Sequence, residues 1–184
     1  EFDYGWKEEL RYNAAGCLIE EINSEWEVAS GQYKPGSKRV ILPDDSCRTL
    51  GWQQYAWDAL LQDYRLTREA QIEREFDSLG QVIRESYYER PVDSPSFELS
   101  VVFTLAWDAR DNRILSRYES FADGKLNFAT EVRRAFDLND NKTYERRRFK
   151  SEETQYEWEA TEELYWEYNA RQQWTREMSY HDWN

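Results

Sequence analysis

The chain has 184 residues and a formal net charge of −13, with a pI of about 4.6, so it is long enough for one ordinary domain with a core. The acidic excess argues against a nucleic-acid partner, because phosphate contacts need clustered Lys and Arg, and against an anionic membrane surface. No apolar run approaches the roughly 20 residues of a membrane span, so we expect no membrane insertion. No signal-peptide pattern opens the chain, which does not begin with Met, so we expect a processed product or an excised piece of a longer protein.

The N-terminal third fits two kinds of secondary structure. Apolar residues that recur every four positions favour a helix, and these are Leu10, Ala14, Leu18, Ile22 and Trp26. From Leu18 onward, the same residues together with Val28 also fit an alternating strand. The same ambiguity affects a later set, Ile72, Phe76, Leu79 and Ile83. Periodicity alone leaves both interpretations open in these two stretches.

Two cysteines, Cys17 and Cys47, lie 30 residues apart in this N-terminal third. That number and spacing allow one disulfide but do not require it. Buried free thiols are the alternative.

Two later stretches predict β-strands with alternating side chains. In FELSVVFTLAW, an apolar or aromatic residue occupies every second position from Phe97 to Trp107, which indicates one buried face of a strand. In YEWEATEELYWEYNA, from Tyr156 to Ala170, aromatic residues, Ala and Leu alternate mostly with Glu, and only Glu162 breaks the row. Glu, Ala and Leu favour helix by propensity, but a helix would scatter the aromatic residues around its circumference. We therefore predict a strand here too, with its Glu residues facing solvent.

A short string recurs along the chain. Its frame is an aromatic residue, Asp or Asn, two variable residues, Gly or a polar substitute, and one more residue before a strand-like stretch. The copies are YNAAGCLIEE from Tyr12, FDSLGQVIRE from Phe76, WDARDNRILS from Trp107, FDLNDNKTYE from Phe136, YNARQQWTRE from Tyr168 and, with an insertion, WDALLQDYRLTRE from Trp57. Two weaker copies are WEVASGQY from Trp26 and YESFADGKL from Tyr118.

The frame has the chemistry of a β-hairpin. The aromatic residue ends a strand and packs against its neighbour, and the Asp or Asn side chain bonds the backbone two residues on. Gly then supplies the positive φ that short hairpin loops require, and Asp or Asn is the next-best residue for that conformation. The residues predicted to form these turns are Asn13, Gly16, Asp58, Asp77, Gly80, Asp108, Asn112, Asp137, Asn141 and Asn169.

The repeated string resembles the YD repeat of the RHS family, whose unit is Tyr-Asp-x-x-Gly-Arg/Asn-Leu. The matching strings are YNAAGCL, FDSLGQV, WDARDNRIL and FDLNDNKTY, and the resemblance extends from Tyr12 to Glu177. This sequence departs from the unit where Trp or Phe replaces Tyr, where Gly is lost, and where Cys17 occupies the usual basic position. The clear copies begin 19 to 45 residues apart, which is less regular than the family's spacing.

The resemblance implies an all-β fold in which tandem β-hairpins form a curved antiparallel sheet, part of an RHS-like shell. RHS shells enclose a toxic C-terminal domain, and relatives include polymorphic toxins of bacterial secretion systems, insecticidal toxin complexes and teneurins. We therefore expect residues 1–184 to form one YD-repeat-like domain, as a fragment of a longer protein that is secreted or displayed on the cell surface. The alternative from the residues alone is an α+β fold with N-terminal helices and a C-terminal β-meander.

No residue pattern predicts catalysis, a cofactor or a metal site. Asp137, Asn139 and Asn141 alternate like the first ligands of an EF-hand loop, but the sixth and twelfth positions hold Lys142 and Arg148 instead of Gly and Glu. His181 is the only histidine, so no His/Cys set can build a zinc site, and no Ser-His-Asp or Cys-His arrangement is evident in the sequence. The run ERRRF, from Glu145 to Phe149, predicts a strand whose charge is balanced by neighbouring Glu.

Four C-terminal aromatic residues, Trp158, Trp166, Tyr168 and Trp174, are the candidate binding residues. Such residues either pack one face of a sheet or form a platform for a sugar ring or a partner chain. The sequence therefore predicts a non-catalytic β-repeat protein that encloses, carries or binds another polypeptide or the remainder of a longer chain. The alternatives are an extracellular module that binds carbohydrate or a cell-surface partner, and an accessory subunit of a large complex.

Overall fold

The computed structural model describes residues 5–151 and 157–180, and these residues form β-strands joined by turns, with no helix. The twelve strands make one antiparallel sheet in which they follow one another in sequence order, from β1 to β12. Their bounds are Trp6–Tyr12 (β1), Leu18–Glu27 (β2), Gln32–Pro43 (β3), Thr49–Asp58 (β4), Asp63–Phe76 (β5), Val82–Pro91 (β6), Glu98–Trp107 (β7), Arg113–Ala122 (β8), Lys125–Phe136 (β9), Lys142–Ser151 (β10), Glu159–Tyr168 (β11) and Trp174–Tyr180 (β12). The prediction of an all-β fold built from tandem hairpins is confirmed.

The alternative fold with N-terminal helices is wrong. Leu10 lies in β1 and Ile22 in β2, on either side of a turn that Asn13 begins. The four-residue spacing of Leu10, Ala14 and Leu18 therefore crosses two strands and a turn. It does not mark one face of a helix.

Packing divides the chain into two compact units. Unit 1 comprises Glu1–Glu73 and Tyr87–Glu98, and unit 2 comprises Arg74–Ser86 and Leu99–Asn184. The prediction of a single domain over residues 1–184 stays a prediction.

Few side chains are buried, because no helix or second sheet among the described residues of unit 2 covers its strands. The predicted row of Leu99, Phe103 and Trp107 on β7 is only half-buried, whereas Val102, on the opposite face of that strand, is 3% exposed. Phe103 instead packs edge-on against Tyr118 of β8, with ring centroids 5.2 Å apart. The period of two is as predicted, but the expected burial of its apolar face is wrong, since both faces of the sheet remain partly exposed.

Six turns share one hydrogen-bond pattern, two of them in unit 1 and four in unit 2. Each begins with an Asp or Asn whose Oδ1 accepts hydrogen bonds from the backbone N–H groups two and four residues on. These residues are Asn13, Asp44, Asp77, Asp108, Asp137 and Asn169. The residue three positions on adopts a positive φ in every case, and these residues are Gly16, Cys47, Gly80, Asp111, Asp140 and Gln172.

One of these six turns, the one that begins at Asp44, was not predicted from the sequence. It follows Pro43 instead of an aromatic residue, so the repeated string does not mark it. The string at Trp57 marks a different kind of turn, between β4 and β5, where Asp58 Oδ1 accepts the N–H groups of Leu60 and Leu61. With Asp44 included, the spacing becomes regular: Asp108 and Asp137 lie 29 residues apart, and Asp44 and Asp77 lie 33 residues apart.

Side chains link successive turns in unit 2. In each link, the residue four positions after the Asp or Asn donates its side-chain amide to the positive-φ residue of the next turn. Gln81 donates to Asp111 Oδ1 (2.6 Å), Asn112 donates to Asp140 Oδ1 (2.8 Å), and Asn141 donates to Gln172 Oε1. We call this series the turn ladder.

The disulfide between Cys17 and Cys47 occupies the same place in unit 1. Cys17 lies four positions after Asn13, and Cys47 is the positive-φ residue of the next turn. The bond that the sequence left open is therefore a covalent version of the link that amide groups make in unit 2.

Replacing both cysteines by Ser should lower the free energy of unfolding by about 3–4 kcal/mol, because the bridge closes a loop of 30 residues. The double variant Cys17→Gln, Cys47→Asp reproduces the link of Gln81 with Asp111 and should recover about 1 kcal/mol of this loss. Urea unfolding followed by Trp fluorescence measures both effects. Equal stability of the two double variants would show that positions 17 and 47 cannot form the amide link found between turns of unit 2.

Gly80 has a positive φ of +81°, a conformation that residues with a side chain rarely adopt, so substitutions at this position should lower the free energy of unfolding. Nothing lies within 4 Å of a Cβ built at this glycine, so the cost of a side chain is conformational and not a clash. Gly80→Val should destabilise by about 1–2 kcal/mol, whereas Gly80→Asn should cost less, because Asn tolerates the left-handed region. Thermal melts of the two variants test the difference, and equal melting temperatures would contradict it.

Candidate functional site

Three of the four predicted platform residues lie together near the start of β10. The Lys142 Nζ lies 4.1 Å from the centre of the Trp166 ring, and the Tyr168 hydroxyl donates a hydrogen bond to the Lys142 carbonyl oxygen (3.0 Å). Trp174 pairs in register with Tyr168 and is 58% exposed.

Trp158 does not join this group. The cations of Arg117, Arg148 and Lys150 lie 4.7–5.3 Å from its ring centre, and two of these residues contact Glu131. Lys142, next to Trp166, instead contacts Glu145. The cause is a register shift: Arg147 pairs with Glu162, but Arg148 pairs with Ala160. β11 therefore has one extra residue at this point, so its even-numbered residues before and after the shift point to opposite faces of the sheet. Trp158 and Trp166 thus lie on different faces, and the predicted single aromatic row is divided.

Glu131 of β9 is the central residue of one face of unit 2, and its side chain is fully buried. Arg117 of β8 donates to its Oε2 through Nε (3.1 Å) and a terminal nitrogen (2.6 Å). Its Oε1 accepts from Arg133 Nε (2.6 Å) and Arg148 Nε (2.9 Å). We call Glu131, Arg117, Arg133 and Arg148 the Glu131 cluster.

Glu145 of β10 has a similar environment on the opposite face, since successive residues of a strand point to opposite faces. Its Oε2 accepts from Arg134 Nε (2.9 Å) and Lys142 Nζ (3.2 Å), and its Oε1 accepts from Arg147 Nε (2.8 Å). Glu145 is 2% exposed. The burial of these two Glu side chains was not predicted from the sequence.

The hydrogen bonds to Glu131 keep it ionised. Burial alone would raise its pKa, but the side-chain hydrogen bonds from Arg117, Arg133 and Arg148 lower the pKa to about 2. The pKa of Glu145 is also lowered, because hydrogen bonds from Arg147, Lys142 and Arg134 outweigh its burial. Both carboxylates are therefore charged at neutral pH and hold their cations in place.

The ERRRF strand was predicted from the sequence, but these clusters were not. Consecutive arginines in this run do indicate that both faces of the strand carry positive charge, because alternation places Arg147 and Arg148 on opposite faces. Their carboxylate partners could not be found from the sequence, since Arg148 lies opposite Glu131 only after the turn fixes the register between β9 and β10.

The Asp137 stretch has the geometry of a turn. Asp137 Oδ1 accepts the N–H groups of Asn139 and Asn141, and its Oδ2 accepts the Asn141 side-chain amide. Hydrogen bonding by the Asn141 side chain is the main cause that lowers the Asp137 pKa. The Asp/Asn alternation of this stretch thus serves the turn.

Residues 5–151 and 157–180 contain no group of three His, Cys, Asp or Glu residues that could hold a metal ion. His181 and Tyr156 lie outside the described residues. The same ranges contain no helix that is long and apolar enough to cross a membrane.

No protein-family model and no curated protein matches the chain. Two of the solved structures that match it are of bacterial proteins without a stated activity. A DUF3836 family protein from Parabacteroides distasonis ATCC 8503 has 10% sequence identity and a TM-score of 0.43, over 55% of this chain and 90% of its own. A protein with unknown function from Bacteroides fragilis NCTC 9343 has 12% identity and a TM-score of 0.38, over 88% of this chain and 91% of its own. The resemblance to RHS repeats stays a prediction.

Glu131→Gln should destabilise the protein at pH 7 by on the order of 3 kcal/mol, because three arginines lose a buried anionic partner. The folded-state pKa of Glu131, about 2, lies below its ordinary value of 4.5. The stability from this carboxylate is thus fully present above about pH 4.5 and is lost as the pH falls towards 2.

The difference in unfolding free energy between wild type and Glu131→Gln should therefore shrink over that range in urea titrations. Glu167→Gln is the matched control, because the Glu167 side chain is 55% exposed and its ion pair with Arg176 is long, at 4.0 Å between Oε1 and a terminal nitrogen. This variant should change the free energy of unfolding by less than about 0.5 kcal/mol. A pH-independent difference for Glu131→Gln would contradict the assignment.

Proposed function

We propose that this chain is a non-catalytic β-repeat protein that binds or carries another polypeptide by pairing strands at the edge of its sheet. The observation that carries this proposal is the outer edge of β12, which pairs with β11 on one side and with no other strand among residues 5–151 and 157–180. An unpaired strand presents backbone N–H and C=O groups that an extended peptide can pair with.

The composition of the two terminal strands favours β12 over β1 as the edge that accepts a partner. Four of the seven residues of β1 are charged, and charged side chains are a common protection against edge pairing. β12 contains only Arg176 and Glu177 as charged residues, and Trp174 and Tyr180 on this strand are 58% and 60% exposed. Exposed aromatic residues of this kind are frequent at protein interfaces.

Two further features support the proposal. Five of the six equivalent turns carry the string that resembles the YD repeat, whose family joins hairpins edge to edge into larger sheets. The Cys17–Cys47 disulfide favours an oxidising compartment, which agrees with a secreted or cell-surface protein and with export by a bacterial secretion system.

A photo-crosslinking residue at Ser179 on β12 tests the edge in cells of the source organism. It should form a defined adduct with one polypeptide, whereas the same residue at Gln71, an exposed position on the interior strand β5, should not. Equal adducts from both positions would show that the edge is not the site of binding.

Proline variants at adjacent positions of β12 make this test specific for strand pairing. Successive N–H groups of an antiparallel strand point to opposite neighbours, so one of Arg176→Pro and Glu177→Pro removes an outward N–H and the other removes an N–H bonded to β11. One variant should lose the adduct and keep its melting temperature. Retention of the adduct by both variants would overturn strand pairing as the mode of binding.

A further inference from the structure

The Glu131 cluster holds more positive charge than its one carboxylate neutralises. Three arginines share Glu131, which leaves two positive charges in excess within the cluster. Six cations and four carboxylates of the described residues occupy this face of β8 to β12 by contact or register, namely Arg117, Arg133, Arg146, Arg148, Lys150 and Arg176 with Glu119, Glu131, Glu163 and Glu167. The excess is thus still two in this wider set. It is a local reversal of sign in a chain of net charge −13.

These cations retain hydrogen-bonding capacity towards solvent. The side chain of Arg133 is 56% exposed, and its described contact to Glu131 uses Nε, which leaves its two terminal nitrogens for another acceptor. Lys150 forms no ion pair within residues 5–151 and 157–180, and its described contact is with the Trp158 ring (5.0 Å). A carboxylate at this face would find donors that are already oriented.

Trp158 and Glu131 limit the movement of the cluster. The guanidinium groups of Arg117 and Arg148 lie 5.3 and 4.7 Å from the centre of the Trp158 ring, and both bond Glu131. Preorganised guanidinium groups lose less conformational entropy when they bind a second anion.

We propose that this face binds an acidic segment of another polypeptide, whose Asp or Glu side chains pair with Arg133, Arg117 and Lys150. Arg117 and Arg133 already donate hydrogen bonds to the carboxylate of Glu131, and the paired N–H groups of a guanidinium match the planar geometry of a carboxylate. The positive excess complements an acidic chain. This inference rests on the proposed function in that the partner is a polypeptide, but it uses the face of β8 to β10 and not the edge of β12.

The test uses the full chain and fluorescein-labelled decaglutamate as the probe. Fluorescence anisotropy should show saturable binding at low salt that weakens as salt rises. The double variant Arg133→Gln, Lys150→Gln should weaken binding about five- to tenfold, since each exposed ion pair of up to 1 kcal/mol changes affinity several-fold. The matched control is the double variant Arg65→Gln, Lys34→Gln, because both residues lie in unit 1, are 68% and 60% exposed, and remove the same two positive charges; it should leave affinity within about twofold.

Lys150→Gln alone keeps the test independent of folding, since Lys150 does not contact Glu131 among the described residues. It should weaken binding by itself, with an unchanged melting temperature. Absence of decaglutamate binding at low salt, or equal affinity of wild type and the double variant, would overturn the proposal.

Two other outcomes would also overturn it. Tighter, variant-sensitive binding of polygalacturonate than of decaglutamate would identify a carboxylated glycan as the ligand. Self-association of the wild type that the double variant abolishes would identify a second copy of this chain. Because decaglutamate binding does not depend on the β12 edge, its failure is distinguishable from a failure of the crosslink at Ser179.

Discussion

The side-chain oxygen that begins each of the six equivalent turns accepts two backbone N–H groups and so fixes where one strand ends and the next begins. Register in an antiparallel sheet follows from turn geometry when neither face is deeply buried, because no core then selects which side chains point inward. The positions of Arg148 opposite Glu131 and of Arg134 opposite Glu145 depend on the turn that Asp137 sets. The charged clusters are therefore consequences of the turns.

Paired charges and aromatic contacts replace a conventional core in unit 2. Among the residues of unit 2 that the structure describes, the buried apolar ones are Val102, Ala129 and Leu164, and two of these are small or medium in size. The largest fully buried side chains are those of Glu131 and Glu145. A buried carboxylate costs free energy unless several donors satisfy it, and here three cations surround each one. Removing one partner of such a group leaves an uncompensated charge, so the sheet depends more on individual ion pairs than a layered protein does.

The strands and their turns could be predicted from the sequence because both signals are local. Alternation marks β7, and the pair of Asn13 with Gly16 marks the first turn. The turn at Asp44 escaped because Pro43 replaces the aromatic residue of the repeat. The division of Trp158 from Trp166 escaped because one extra residue in β11 reverses the faces, and alternation in the sequence gives no sign of it.

The clusters were not predictable for a related reason. A carboxylate such as Glu131 resembles the solvent-facing Glu residues around it in sequence, and only the pairing of three strands shows that it is enclosed. The fold thus followed from short-range patterns, whereas the candidate site depends on strand register, which brings Arg117 and Arg148 from the two neighbouring strands to Glu131.

The turn ladder makes the series of repeats modular. Each turn of unit 2 is linked through side chains to the next turn, and the linking residues are interchangeable in kind, as Gln81, Asn112 and Asn141 show. Stability in such an array is a sum of terms for each repeat and for each junction between neighbours. A lineage that duplicated or deleted one pair of strands would keep every remaining junction chemically matched. Sheets of this design can therefore change in length by whole hairpins during evolution while the surviving contacts stay the same.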